Sequence, residues 1–244
     1  MKSVVAYKWA RDPEDAAVRS DGTVDWRGAK MTAGDDDPAA IAVATTLAAG
    51  AGATLVGLTI GDGDATWALA RGIESAVSVP DAPFLADNAA TAGILAAAVR
   101  SIGDVDLVVI GDAEAYPGVA AAIAGILGWP ALLGVSEAAF ADGRVVAVRR
   151  MGASEQTVDI GLPAVIGAVS ASAEKQAPGM KEVLAARRRP VTAIPLATLG
   201  LAALDRVRSR ATSVPETGTA RIFDGDAAAS ATQLVAALRA DGVL

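Results

Sequence analysis

The sequence predicts an α/β fold: a parallel sheet with helices on both faces, followed by an antiparallel extension and a C-terminal arm. Three observations support this prediction. Short apolar runs alternate with Ala-rich segments of helical length along the first half of the chain. Aromatic residues make up only 4% of a chain that is 52% hydrophobic, so Ala, Val, Leu and Ile must fill a core of closely packed helices on an aliphatic sheet. From about residue 131 the pattern changes to successive strands.

The first half of the chain supplies the alternating elements. Residues 3–7 are short, apolar and β-branched, which predicts a central strand. A polar stretch follows, and its residues 20–23 (Ser-Asp-Gly-Thr) predict a hairpin turn. Three acids before Pro38 mark the start of a helix. The remaining predicted elements are helices over 39–49, 65–72, 88–101 and 118–127 and strands over 54–60, 76–79 and 106–111.

The second half predicts strands over 135–140, 144–149, 156–160 and 164–170, with turns at Asp142-Gly143 and Gly152-Ala153. We assign residues 1–190 to one α/β domain that includes the antiparallel extension (about 131–170) and a loop with a short basic helix (171–190). Residues 191–244 contain proline-punctuated segments and one amphipathic helix over 228–239. Such a segment lacks a core of its own, so we expect it to lie along something else as an arm.

The composition excludes several kinds of chemistry. The chain has no histidine and no cysteine, which excludes thiol nucleophiles, Ser-His-Asp triads, structural zinc, disulfides and His-ligated haem. A reactive group would therefore come from a bound cofactor or another chain. The net charge of −7 argues against nucleic acid as a partner, because phosphate neutralisation needs an excess of Lys and Arg.

Two long uncharged runs, residues 38–61 and 115–136, resemble membrane spans in length. Each is interrupted by a turn, at Gly50-Ala51-Gly52 and at Gly128-Trp129-Pro130, which predicts a buried helix followed by a buried strand. The N-terminus reaches charge at Lys8, too early for a signal peptide. We expect a cytoplasmic protein without membrane insertion.

Candidate ligand positions lie after three strands, at residues 6–9, 61–64 and 111–118, since ligands of open parallel sheets bind at the carboxyl ends of the strands. Taken singly, each of these turns is also explained as a tight connection between a strand and a helix. Lys8 suits a phosphate, although most lysines are solvated. The acids in these turns suit ribose binding, metal ligation or a helix N-terminus: Asp62, Asp64, Asp112 and Glu114.

Six segments follow one family pattern in order. Residues 5–8, 22–31 and 106–111 are similar to V-x-V-K, G-x-x-x-D-x-x-G-x-K-x and D-L-(I/V)-(L/V)-x-G. The most specific series has matching spacing without gaps, and its members at residues 127–130, 162–166 and 185–190 are similar to L-x-W/L-P, L-P-A-V-(V/I) and K-A-(K/R)-(K/R)-K-P. In these segments, over about residues 2–191, the chain resembles the β subunit of electron transfer flavoproteins.

The resemblance implies a Rossmann-like, adenine-nucleotide-binding fold and a subunit that is not itself an enzyme. It implies a heterodimer with an α subunit that holds the working FAD and is wrapped by the C-terminal arm. The pair would pass electrons from a flavin-dependent dehydrogenase to a downstream acceptor. In ordinary members the β subunit carries AMP, and in bifurcating members it carries a second FAD. A chain without His and Cys suits this role, because the flavin supplies the redox chemistry.

The resemblance also implies which residues bind the nucleotide, and the phosphate loop departs from the family. The family's K/R-Q-(A/S)-x-D segment with its T-G-Q step corresponds to residues 112–119, which contain Asp112 and Glu114 and neither Thr nor Gln. Two acids would repel a phosphate unless backbone N–H groups and Lys8 suffice, so we expect altered or lost nucleotide affinity. The implied cofactor-binding residues are Ala6, Lys8, Gly34, Asp37, Ile60, Gly61, Asp112, Gly118, Val119 and Ala120.

The family's partner-recognition loop corresponds to residues 172–184 and is also altered. Met180 takes the place of a leucine that anchors onto acyl-CoA dehydrogenases and related donors, and methionine is an adaptable apolar substitute. Glu174, Arg187 and Arg188 are the other partner-binding residues implied. The alternative is that Met180 simply packs at the start of its helix.

Two other readings of the fold remain. A stand-alone adenine-nucleotide-binding regulatory module that resembles universal stress proteins would be a homodimer. It explains the alternating half of the chain but neither the antiparallel extension nor the basic helix. An adenylating enzyme of the ATP-pyrophosphatase kind requires an S-G-G-x-D-S loop after the first strand, and residues 7–10 differ from it completely.

Overall fold

The computed structural model describes residues 1–61, 63–83, 87–112, 116–170, 177–201, 207, 210–213 and 220–244. Contacts divide the chain into two compact units. The first, which we call the sheet unit, comprises residues 1–17 and 24–210. The second, which we call the arm unit, comprises residues 18–23 and 211–244.

The strands are short, as the sequence predicts, and most belong to one large sheet. They are β1 (Lys2–Ala6), β2 (Ala10–Arg11), β3 (Ala17–Val18), β4 (Val24–Asp25), β5 (Met31–Thr32), β6 (Thr54–Ile60), β7 (Ser75–Val79), β8 (Leu107–Gly111), β9 (Ala131–Ala141), β10 (Arg144–Met151), β11 (Ser154–Ile160), β12 (Ala164–Ala168) and β13 (Val191–Ala193).

The helices alternate with the strands in the first half of the chain. They are α1 (Asp37–Ala51), α2 (Thr66–Leu69), α3 (Asn88–Ile102), α4 (Val119–Leu127), α5 (Met180–Ala186) and α6 (Ala227–Ala240), with 3₁₀ turns at Pro13–Asp15 and Leu196–Leu199. The two uncharged runs of the sequence are α1 followed by β6 and α4 followed by β9, as predicted. In the part of the chain that is described, no helix has both the length and the apolar character needed to cross a membrane.

The large sheet has nine strands in the order β11-β10-β9-β12-β8-β1-β6-β7-β13. Every neighbouring pair from β9 to β13 in this order is parallel, and β10 is antiparallel to both of its neighbours, β9 and β11. The predicted α/β class is therefore confirmed. The strands β1, β8 and β12 are apolar and buried on both faces, as central parallel strands must be when helices cover the sheet.

Two apolar layers cover the sheet. One face packs against α1 and α2, with Leu47 and Leu69 almost fully buried. The other face packs against α3 and α4, with Ile94 and Ile123 fully buried. Small side chains dominate both layers, which lets the helices approach the sheet closely.

The antiparallel extension differs from the sequence prediction at one strand. The turn at Asp142-Gly143 forms as predicted, with positive φ at both residues (50° and 77°), which suits a tight hairpin. Strand β12, which the sequence placed in the extension, instead pairs in parallel with β8 and β9 inside the core. Its five residues are all buried. A central position removes more of their apolar surface from water than an edge position would.

The sheet unit continues beyond residue 190. Strand β13 pairs in parallel with β7 at the edge of the large sheet, and the sheet unit continues to Arg210. The main-chain hydrogen bonds of this pairing explain why residues 191–210 group with the sheet rather than with the arm unit.

The arm unit contains a turn and one helix. The Arg19 N–H donates to the Thr23 carbonyl (2.8 Å), which closes the predicted turn over residues 20–23. Helix α6 begins at Asp226, whose carboxylate accepts the Ala229 N–H (2.8 Å) as an N-cap. No described residue of the arm unit is buried. The described residues of this unit therefore form no hydrophobic core.

Candidate functional site

A cleft opens at the carboxyl ends of β1, β6 and β8. The chain proceeds from β1 to β6 and β7 on one side and then returns to place β8 on the other side of β1. Such a reversal of strand order leaves a crevice in open α/β sheets. The cleft has a cavity volume of about 170 Å³ and is open to solvent. One wall is apolar and is formed by Ile60, Pro83, Leu95, Ile110 and Val119.

The polar side of the cleft centres on Asp37, the first residue of α1. Its Oδ2 accepts the backbone N–H groups of Lys8 and Gly34, both at 2.7 Å. The side chain is only 5% exposed. Burial raises the pKa of Asp37 to about 7, although the two N–H donors and the charge of Lys8 oppose the increase. The carboxyl group therefore titrates near neutral pH.

Gly111, at the end of β8, makes room for this carboxyl group. A Cβ at this position would lie 3.0 Å from Asp37 Oδ1 and 3.0 Å from the carbonyl carbon of Asp36. Glycine thus permits the start of α1 to lie directly against the end of β8. Asp36 faces another segment, because its Oδ1 accepts the Ser170 N–H (2.8 Å).

Lys8 and Tyr116, which are 108 positions apart in the sequence, meet at the cleft. The Lys8 ammonium donates to the Tyr116 hydroxyl oxygen and lies 4.6 Å from the centre of the Tyr116 ring. Tyr116 precedes α4, which begins at Gly118 with no side-chain cap from any described residue. An ammonium group and a phenol thus lie together at the cleft wall, next to the start of α4.

The structure brings six of the ten predicted cofactor-binding residues to the cleft wall: Lys8, Gly34, Asp37, Ile60, Gly61 and Val119. Ala6 and Ala120 are buried in the core beside α3 and α4 and do not line the cleft. Gly118 is the N-cap of α4 with φ of 81°, a conformation that glycine adopts without strain.

Asp112 does not line the cleft. Its Oδ2 accepts the Gly134 N–H (3.1 Å) at the start of the antiparallel extension. The side chain lies over Gly167, where a Cβ would come within 3.2 Å of Asp112 Cβ. The Asp112 carboxylate is therefore directed towards Gly134 rather than into the cleft. Asp62 and Glu114 lie outside the described residues.

Sequence reasoning missed the cleft residues of α3 and the role of Tyr116. Thr91 and Leu95 line the cleft from the second turn of α3, and no local motif distinguishes them from other helix residues. One sequence feature could have indicated Tyr116. It is an aromatic residue in a strand-to-helix turn at the carboxyl ends of the strands, where a ligand was predicted to bind. The sequence placed Tyr116 in a predicted ligand turn (residues 111–118) but did not indicate its contact with Lys8.

An aromatic stack lies beside the polar side of the cleft. Trp67 lies 5.7 Å from Tyr7 and 5.6 Å from Trp9 between ring centres, and the Arg71 guanidinium lies 4.1 Å from the Trp67 ring. The Tyr7 hydroxyl has no hydrogen-bond partner among the described residues. Burial raises the pKa of Tyr7, and the nearby carboxylates of Asp64 and Asp37 raise it further. The stack thus holds the loop after β1 against α2.

Helix α5 presents the predicted partner-binding residues. Met180 is 75% exposed, so it does not pack at the start of its helix, and Arg187 and Arg188 are also exposed. Arg189 has a structural role, because its guanidinium donates to the carbonyl oxygens of Leu69 (2.7 Å) and Ile73 at the end of α2. Glu174 lies outside the described residues.

A comparison with protein-family models identifies a family that matches this chain. The family model described as Electron transfer flavoprotein domain matches residues 22–199, well over half of the chain. The matched range runs from the turn before β4 to the 3₁₀ turn after β13. It therefore includes the whole antiparallel extension and α5.

Proposed function

Because the chain belongs to the electron transfer flavoprotein domain family, we propose that it is the β-type subunit of a heterodimeric electron transfer flavoprotein. The heterodimer passes electrons from a flavin-dependent dehydrogenase to a downstream acceptor through FAD held mainly by the α-type subunit. This chain contributes scaffold and docking surface and no catalytic side chain. The absence of His and Cys supports that role, since a bound flavin supplies the redox chemistry.

The arm unit is the observation that supports a partner subunit most strongly. Several of its apolar side chains are exposed, among them Ile222 at 84%, Leu244 at 71% and Val243 at 69%. Helix α6 has no buried residue and exposes Leu234 and Val235 as well. Because apolar surface of this kind gains free energy when it is removed from water, a second chain that covers it stabilises the unit.

The alternative of a stand-alone regulatory module resembling universal stress proteins is not favoured. That reading leaves the antiparallel strands and the basic segment after α5 without an explanation. The family match covers both.

The cleft supports an adenine-nucleotide site in this chain. Its apolar wall suits a flat base, and Lys8, Tyr116 and the start of α4 suit an anionic group. Asp112 is the described acid that led us to expect altered or lost nucleotide affinity. Its carboxylate accepts the Gly134 N–H instead. We therefore propose that the nucleotide site is altered in its donors but retained.

Helix α5 is the proposed docking face for the dehydrogenase. Met180 and Leu184 (54% exposed) form an apolar anchor, and Arg187 and Arg188 supply positive charge beside it. A small apolar anchor with a charged rim is typical of transient interfaces.

The rate of flavin reduction by a flavin dehydrogenase tests the proposed function. In the purified complex with its α-type partner, the flavin is expected to be reduced by the dehydrogenase and reoxidised by an acceptor. Met180→Ala is expected to lower the reduction rate about tenfold, the effect of losing a moderate interface anchor. The flavin content should not change, because Met180 lies on an exposed helix.

Ile126→Ala is the matched control, since Ile126 is an exposed apolar residue (40%) on α4, outside α5. The flavin in the Ile126→Ala complex should be reduced as fast as the flavin in the unaltered complex. A complex whose flavin the dehydrogenase does not reduce contradicts the proposed function. If Met180→Ala lowers the reduction rate and the flavin content equally, Met180 is not an anchor for the dehydrogenase.

A further inference from the structure

Lys8 lies in the short connection between β1 and β2, residues 7–9. The Tyr7 N–H still donates to the carbonyl oxygen of Leu58 on β6 (3.0 Å). At Lys8 the main chain leaves the sheet, and the Lys8 N–H donates instead to Asp37 Oδ2 (2.7 Å). This hydrogen bond fixes the backbone of Lys8. The direction of its side chain depends on the neighbouring residues.

Trp67 of α2 contacts both neighbours of Lys8. The Trp67 ring centre lies 5.7 Å from that of Tyr7 and 5.6 Å from that of Trp9, with interplanar angles of 32° and 21°. The side chain between them leaves in another direction, because the Lys8 ammonium donates to the Tyr116 hydroxyl and lies 4.6 Å from the Tyr116 ring centre. Turning Lys8 away from the cleft would therefore break two aromatic contacts.

Trp67 itself is held firmly. The two residues that follow it, Ala68 and Leu69, are buried in the core under the sheet (0% and 2% exposed). The Arg189 guanidinium donates to the Leu69 carbonyl oxygen (2.7 Å). The Arg71 guanidinium donates to the Trp67 carbonyl oxygen (2.8 Å) and lies 4.1 Å from the Trp67 ring. The indole ring is thus a fixed platform for the connection.

The connection also packs closely on the turn after β6. A Cβ at Gly63 would lie only 2.0 Å from the carbonyl oxygen of Trp9. The backbone of Trp9 therefore lies directly against residue 63, and this contact limits the movement of residues 7–9.

The position of the Lys8 ammonium matters because the cleft has few charges. Among the described lining residues, Lys8 is the only cation and Asp37 the only acid. The attraction between two charges falls with the distance between them. The affinity of the cleft for an anionic group therefore depends on where the Lys8 ammonium lies.

We infer that Trp67 is a positioning residue of the cleft: by holding Tyr7 and Trp9, it directs the Lys8 ammonium towards an anionic ligand. The inference rests on the proposal that the cleft binds an adenine nucleotide, and it does not depend on the heterodimer. Trp67 does not line the cleft, so its effect on a ligand passes through Lys8.

Isothermal titration of the full-length chain with AMP and with adenosine tests the inference. Trp67→Ala is expected to weaken AMP binding about tenfold, the effect of losing one hydrogen bond to a charged group. Adenosine has no phosphate for Lys8 to bind, so its affinity should change less than about twofold. Trp67→Phe keeps an aromatic ring between Tyr7 and Trp9 and should bind AMP to within about threefold of the unaltered chain.

The matched control is Trp129→Ala, the same change at a tryptophan that packs on the other face of the sheet and does not line the cleft. It should bind both ligands as the unaltered chain does. Trp67→Leu leaves a smaller cavity than Trp67→Ala and should show the same loss of AMP affinity. The comparison therefore does not depend on the folding of Trp67→Ala.

A double-mutant cycle with Lys8→Gln shows whether Trp67 acts through Lys8. In the Lys8→Gln background, Trp67→Ala should weaken AMP binding no further, because the ammonium that Trp67 directs is absent. A role of Trp67 in general stability alone would give the same loss in both backgrounds.

Four results would overturn the inference: equal losses of AMP and adenosine affinity in Trp67→Ala, an unchanged AMP affinity in this variant, the same loss in the Lys8→Gln background, or no AMP binding by the unaltered chain. The molar mass of the chain mixed with its α-type partner is measured in parallel. A heterodimer that shows one of these four results overturns only the role of Trp67. The expected loss of AMP affinity without a heterodimer overturns only the proposed function.

Discussion

Replacing Asp37 by asparagine is expected to raise the free energy of unfolding by about 2–4 kcal/mol at about pH 8 and to change it little at about pH 4. Burial raises the pKa of Asp37 to about 7 from an ordinary value of 3.8. The folded state therefore keeps this proton to a higher pH than the unfolded state. The resulting stabilisation is complete below the unfolded pKa and is lost as the pH rises through about 7.

Asparagine is the appropriate replacement because its side-chain oxygen accepts the same N–H groups of Lys8 and Gly34 without a charge. Urea unfolding of the unaltered protein and of Asp37→Asn at a series of pH values gives the free energy of unfolding of each as a function of pH. Asp36→Asn is the matched control. Asp36 is the neighbour of Asp37 in sequence, but its carboxylate accepts the Ser170 N–H and it does not line the cleft. Parallel curves for the unaltered protein and Asp37→Asn would contradict a buried carboxyl group with a raised pKa.

Ile222→Glu is expected to weaken binding of the α-type partner by at least about 30-fold, which corresponds to about 2 kcal/mol. Ile222 is 84% exposed in the arm unit, so a partner that covers it must desolvate a new charge in the variant. The stability of the free chain should be unchanged, because this side chain packs into no core.

Sedimentation of the two subunits at a series of concentrations measures the dissociation constant. Ile222→Leu is the conservative control and should assemble normally, since it keeps the apolar area. If Ile222→Glu assembles as tightly as the unaltered chain, the arm unit does not bind the partner.

The alternation of apolar runs and Ala-rich segments was sufficient to predict the α/β class. Strands β1, β6 and β8 were predicted to within about one residue at each end. Short β-branched and apolar runs indicate where such strands begin and end. The position of β12 was not predictable in the same way. A short apolar run suits either a central strand or a hairpin strand, and only its pairing with β8 decides between them.

The candidate site was predictable at the level of strand ends and not at the level of side-chain direction. Lys8 follows β1, so its arrival at the cleft depends on the local chain alone. The Lys8–Tyr116 contact joins residues 108 positions apart, and no local pattern indicates such a pair. Asp112 was expected at the phosphate because it corresponds in position to the family's phosphate loop, but its carboxylate accepts the Gly134 N–H and its side chain lies over Gly167.

The flavin content of this chain, alone and in complex with its α-type partner, tests most directly the claim that the chain borrows its redox group. The account predicts a colourless chain when it is purified alone. The purified heterodimer should be yellow and contain one FAD per complex. A stoichiometric flavin in the isolated chain, or a colourless heterodimer, would contradict the account.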